Sequence, residues 1–101
     1  METDAIRTLC YGIARGLWPS GTSLPSVAEF AAERRINLGA VRAAMRRLHD
    51  DGLLDAGVVT AGAPELARAW LLADFATRQA AEFATLQRAG ISEKYLRERL
   101  P

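Results

Sequence analysis

Gly16-Leu17-Trp18-Pro19-Ser20-Gly21-Thr22-Ser23-Leu24-Pro25-Ser26 leads directly into Val27-Ala28-Glu29-Phe30-Ala31-Ala32-Glu33. The first part is punctuated by Pro and Gly and has no helical period, so it reads as an irregular connection. Ser26 followed three positions on by Glu29 is a capping box, which starts a helix near Val27 with Val27, Phe30 and Ala31 on its inner face. Asn37 then caps a further helix to about Asp51, stopped by Gly52 in a left-handed C-terminal position. That helix carries Val41, Met45 and Leu48 on one side and Arg42 and Arg46 on the other. Two short helices joined by a tight turn, the second one basic, is the layout of a helix-turn-helix nucleic-acid reader.

Upstream, Ile6, Leu9, Cys10, Ile13 and Leu17 fall at helical spacing, with Thr3 or Asp4 as the cap, and Pro19, Gly21 and Pro25 end the segment. Downstream, Leu53 to Thr60 reads as two very short strands bent at Ala56-Gly57. Pro64 is placed as a first helical residue. One long helix follows from Glu65 to about Ala89, closed by Gly90, and Ser92 caps a last short helix to about Arg99. The domain organisation expected is a reader over residues 1–62 and a helical dimerisation tail over 63–101.

Composition bounds the function. The chain has 101 residues, half of them hydrophobic, with 13 basic and 12 acidic side chains for a net charge of +1. It can bury a core, and it lacks the strongly basic balance of a protein that coats nucleic acid indiscriminately, which disfavours a purely architectural role. The single cysteine, Cys10, lies in an apolar helical stretch and reads as a buried inert thiol in a reducing compartment. The N-terminus has no secretory pattern, and no apolar run approaches a membrane span, so a cytoplasmic protein away from membranes is expected.

Residues Ile6 to Thr60 resemble the winged helix-turn-helix domain of the GntR family of bacterial transcription regulators. The resemblance rests on Pro19, Gly21-Thr22, Leu24-Pro25-Ser26-Val27, Glu29, Ala31, Asn37, Val41-Arg42, Ala44, Leu48 and Gly52-Leu53-Leu54. The tail, with Ala89-Gly90-Ile91-Ser92-Glu93 before a leucine-rich end, is similar to the small YtrA-type branch. Members of that branch lack a large effector domain and dimerise through two C-terminal helices. The implied fold is mainly α: three helices and a short, reduced β-hairpin, then a long helix and a short C-terminal helix. The implied function is a repressor reading a palindromic operator on double-stranded DNA as a homodimer, with no cofactor.

This chain departs from the family at several contact positions. Ala28 stands where the family usually has arginine, and Leu38 and Ala40 replace a basic residue and a threonine, with Gly39 between them. Alanine and leucine cannot hydrogen-bond base edges, although either can touch a thymine methyl. In the wing, Asp55-Ala56-Gly57-Val58-Val59-Thr60 brings an acid, and there is no Lys or Arg between Gly52 and Arg68. The wing should therefore add little to phosphate binding.

The set expected at DNA is Arg42, Arg46, Arg35, Asn37, Ser26 and His49, with Arg34 and Arg47 flanking. Arg42, Arg46 and His49 form one stripe at i, i+4 and i+7. The competing reading is an ordinary solvated helix face balanced by Glu29, Glu33, Asp50 and Asp51. His49 has no metal-ligand neighbour in sequence, and no nucleophilic or phosphate-loop constellation is present, so neither an enzyme nor a metal site is expected. In the tail, Leu66, Trp70, Ala73, Phe75 and Phe83 are expected to pair two copies, with alanines allowing close approach and Tyr95 and Leu96 covering an edge. The second functional reading is a protein-interaction module that pairs through this helix with a related regulator, Ala28, Leu38, Gly39 and Ala40 forming its smooth surface.

Overall fold

A computed structural model describes residues 2–99. Its described elements are α1 (Glu2–Arg15), α2 (Val27–Arg34), α3 (Leu38–Asp50), β1 (Leu54–Asp55), β2 (Val58–Val59), α4 (Ala63–Arg88) and α5 (Glu93–Arg99). The architecture is mainly α, a winged helix-turn-helix followed by one long and one short helix. The chain forms two compact units, one up to Leu71 and one from Leu72 onward.

In the first unit α3 packs across both α1 and α2. Leu9, Cys10 and Ile13 of α1, Phe30 of α2, Val41 and Leu48 of α3 and Val59 of β2 are sealed from solvent. Ala63 and Ala67, in the first turns of α4, complete the same core, with Trp70 and Leu71 packed against it. No side chain of a polar or charged residue is buried there among the described residues, so burial is almost purely apolar and needs no compensating network.

The ends of α1 differ from expectation. Thr3 and Asp4 lie inside its first turn, and Leu17 lies beyond its end, 56% exposed. The cause is Gly16, whose φ of 82° turns the chain left-handed while Leu17 N–H bonds Gly12 O at 2.9 Å. That closure carries Leu17 off the apolar face. Gly12 has a separate role: a Cβ there would overlap the Trp18 ring. Its absence lets the indole lie on α1 and meet Phe30 edge-on, centroids 5.9 Å apart.

β1 and β2 pair antiparallel, Leu54 opposite Val59 and Asp55 opposite Val58. The turn between them holds Ala56 at φ 51° and Gly57 at φ 81°, the two positive values that a type I′ hairpin requires. The segment before α2 is more ordered than its Pro/Gly content predicts. Ser23 bridges Val58, Val59 N–H bonds Thr22 O at 2.9 Å and Leu24 N–H bonds Gly57 O at 3.0 Å. The connection thus lines the free edge of β2.

In α4, Pro64 falls in the first turn, where its missing N–H costs nothing. Gly90, at φ 84°, ends the helix with Ile91 N–H on Leu86 O at 2.9 Å. Ser92 Oγ accepts from Tyr95 N–H at 3.1 Å and caps α5. No residue from Leu72 to Arg99 is buried, and Leu72 and Phe75 are 70% and 53% exposed. Among the described residues no helix is long and apolar enough to cross a membrane.

Candidate nucleic-acid interface

The helix-turn-helix begins at Ser26. Its Oγ accepts from Glu29 N–H at 3.1 Å and its hydroxyl donates to Glu29 Oε1 at 3.0 Å. Both capabilities of the hydroxyl are therefore engaged locally, and Ser26 acts here as a cap. The helix it starts ends at Arg35, held left-handed at φ 55°, ψ 42° with its N–H on Ala31 O. A positive φ on a non-glycine residue is uncommon, and here it directs the chain into Asn37. Asn37 Oδ1 accepts from Ala40 N–H at 3.1 Å, so the carboxamide oxygen caps α3 while its NH2 group stays available as a donor.

The basic residues divide by what they touch. Arg34 lies over the Phe30 ring at 5.6 Å. Arg47 Nε pairs with Asp51 Oδ2 at 2.8 Å, and that hydrogen bond, with the Asp51 charge, raises its pKa above the ordinary arginine value. Arg35, Arg42 and Arg46 are exposed, and among the described residues they make no ion pair or side-chain hydrogen bond. Of the four acids expected to balance the face, Asp51 pairs with Arg47 and Glu29 with Ser26. Neither Arg42 nor Arg46 is neutralised by a neighbour. An exposed stripe of unpaired guanidinium groups can take phosphate oxygens or guanine edges with little intramolecular competition.

His49 is placed differently from the rest of that stripe. Its Nδ1 lies 3.2 Å from Leu54 O. A carbonyl only accepts, so Nδ1 carries the proton and the imidazole fastens the end of α3 to β1. Thr60 Oγ1 donates to Gly52 O at 2.7 Å and closes the base of the hairpin. Between the lead-in to α2, the outer side of α3 and the wing lies a groove of about 370 Å³. Leu24, Pro25, Val27, Met45 and Leu54 line it, with Arg46 and His49 among its walls. The sequence suggested neither the groove nor the wing-fastening role of His49. The signal for the latter was the closeness in chain of His49 to the hairpin, which a helical-face argument ignores.

The tail residues are distributed as follows. Leu66, Ala73 and Phe75 are exposed, Trp70 packs on the core of the reader, and Phe83 lines a shallow groove with Ala76, Gln79, Ala80 and Glu93. Among the described residues no group of three or more His, Cys, Asp or Glu side chains could hold a metal ion.

No protein-family model matches the sequence, and no curated protein does. Solved structures do match in fold. One, a GntR family transcriptional regulator from Listeria monocytogenes, superposes with a TM-score of 0.63 at 19% identity, covering 94% of this chain and 87% of that one. A transcriptional regulator from Oenococcus oeni superposes with a TM-score of 0.58 at 21% identity, covering 96% and 84%. The shared property is the fold, over nearly the whole length of both partners.

Proposed function

We propose that this chain is a DNA-binding transcription regulator of the GntR type, of the small YtrA-like branch. The observation that carries the reading is the outer face of α3, where Arg42 and Arg46 stand exposed and unpaired on the second helix of a helix-turn-helix. The fold shared with a protein described as a GntR family transcriptional regulator supports it. In this reading Arg42 and Arg46 meet the major groove, and Arg35 and the Asn37 NH2 group hold phosphates. Two copies associate through the exposed apolar residues of α4, which sets two readers on palindromic half-sites and gives a repressor that occludes a promoter.

The wing contributes little, because Asp55 at its exposed edge repels phosphate and no cation lies nearby in sequence. Affinity then rests on few contacts. A titration of the purified protein against DNA from upstream of its own gene, with random duplex as competitor, tests this. One fragment is bound preferentially at near-physiological salt, and Arg42→Ala lowers that affinity by about 10- to 100-fold, the scale of one bidentate base contact. Unchanged affinity in the Arg42→Ala variant sinks the mechanism.

The exposed Leu38 and the acidic wing favour a second reading, a module that binds a related regulator in place of DNA. Equal, salt-erased binding to both fragments, together with a stable heterologous partner on co-purification, is what that reading requires.

A further inference from the structure

The groove between the lead-in to α2, the outer side of α3 and the wing has the volume of a small-molecule site, about 370 Å³. Half-buried Leu24, Pro25, Val27 and Met45 line it together with buried Leu54, so its surface is mostly carbon. The lining is tied together from several sides. Leu24 N–H bonds Gly57 O at 3.0 Å, His49 Nδ1 lies 3.2 Å from Leu54 O, and the Ser26 cap sets the first turn of α2. The shape is therefore fixed before anything enters, which spares a ligand the cost of ordering it. Ser26 spends its hydroxyl proton on Glu29, and His49 gives its Nδ1 proton to Leu54 O. Arg46 is exposed and makes no ion pair or side-chain hydrogen bond among the described residues, so its guanidinium is the lining group free to meet an anion. A phosphate backbone gains little in this groove, because its carbon walls cannot hydrogen-bond phosphate oxygens and Asp55 adds an acid beside Leu54.

We propose that this groove is a binding site for a small aryl carboxylate, and that its occupant withdraws Arg46 from DNA. The aromatic body lies against the apolar lining, where Met45 supplies a polarisable thioether as partner for a ring. The carboxylate pairs with the Arg46 guanidinium, whose planar fork matches two carboxylate oxygens. One charge on an apolar body suits one cation among apolar walls. A neutral ligand would leave the guanidinium without a partner, and a polyanion would press its further charges onto carbon. Arg46 cannot hold a carboxylate and a base edge at once, so the ligand lowers affinity for DNA and DNA lowers affinity for the ligand by the same factor. The consequence for DNA rests on the regulator reading above. The site itself does not, because the groove is made by the protein alone.

The full-length protein is titrated with naphthalene-2-carboxylate and, separately, with naphthalene-2-carboxamide, which keeps the ring system and loses the charge. The acid should bind about tenfold tighter than the amide, the scale of one charge-assisted pairing. Two-dimensional amide spectra of the unaltered protein should place the changes at Val27, Met45 and Leu54. Arg46→Gln, at an exposed position, should bind acid and amide alike. Added to the protein–DNA complex, the acid should release the duplex at a concentration where the amide does not. No binding of the acid, equal affinity of the unaltered protein for the two compounds, or spectral changes confined to the groove at Phe83 overturns the site. Duplex retained at saturating acid overturns the coupling to DNA and leaves the site standing. If no duplex is bound before the acid is added, the regulator reading and the coupling fall together, while the ligand titrations still decide the site.

Discussion

The reader up to Leu71 and the tail from Leu72 onward spend their apolar residues in opposite ways. In the reader, three helices, a hairpin and the first turns of α4 close over Phe30, Leu9, Ile13, Leu48 and Val59 until none of these touches water. In the tail, Leu72 and Phe75 stand largely in solvent, and no described residue from Leu72 to Arg99 is buried. The reader has three directions from which to enclose a core; a helix pair has only one seam. A helical surface with apolar residues spread around it gains stability only when something else covers it.

The sharpest way to break this contrast is the tail. If two copies pair through α4 as proposed, Leu72→Asp with Phe75→Asp should convert that dimer to a monomer in light scattering, since a fully covered Leu or Phe contributes about 1.5–3 kcal/mol each. The circular dichroism of the reader should persist. A dimer unchanged by both substitutions would place the association elsewhere. Next in size, Phe30→Ala opens the core and removes the edge contact with Trp18, and should cost about 3–5 kcal/mol in urea unfolding.

Gly12→Ala is expected to cost about 1–3 kcal/mol, because the new methyl displaces the Trp18 ring. Tryptophan emission should shift red in the same variant. If stability and emission both stay put, Trp18 is not seated on Gly12. The smallest effect belongs to Ser26→Ala, about 1 kcal/mol for the lost cap of α2, read as a lowered denaturant midpoint. A comparable loss on Ser26→Thr would argue against capping as the cause.

The helices of the reader were legible because their ends are written in local chemistry. Ser26 with Glu29, Asn37, Gly52, Gly90 and Ser92 each stop or start a helix where the residue type says they should. The hairpin was visible for the same reason, in Ala56-Gly57 between strand-forming valines. What escaped were features made by partners distant in kind or in chain. The bridge from Ser23 to Val58 joins a segment without alternation to a strand of two residues, so no period announces it. Leu17 matched the helical spacing of α1, but Gly16 reverses the chain one residue earlier.

The candidate site was legible in its residue types more than in its allegiances. Sequence spacing put Arg42, Arg46 and His49 on one stripe, and the two arginines do stand exposed and unpaired there. His49 instead gives its Nδ1 proton to the wing through Leu54 O. Arg34 and Arg47 are held by Phe30 and Asp51, contacts that a count of positive charges cannot distinguish from free cations.

The turn at Ala56-Gly57 has one more consequence. Its backbone already holds two left-handed residues, and the space that a Cβ on Gly57 would enter is open. A side chain at Gly57 would nevertheless be strained by that φ, and Gly57 O is held by Leu24 N–H, so the tip itself is not the place for change. Asp55 and Ala56 both point to solvent there. A single charge reversal at Asp55 would therefore change the sign of the wing's exposed edge without redesigning anything inside.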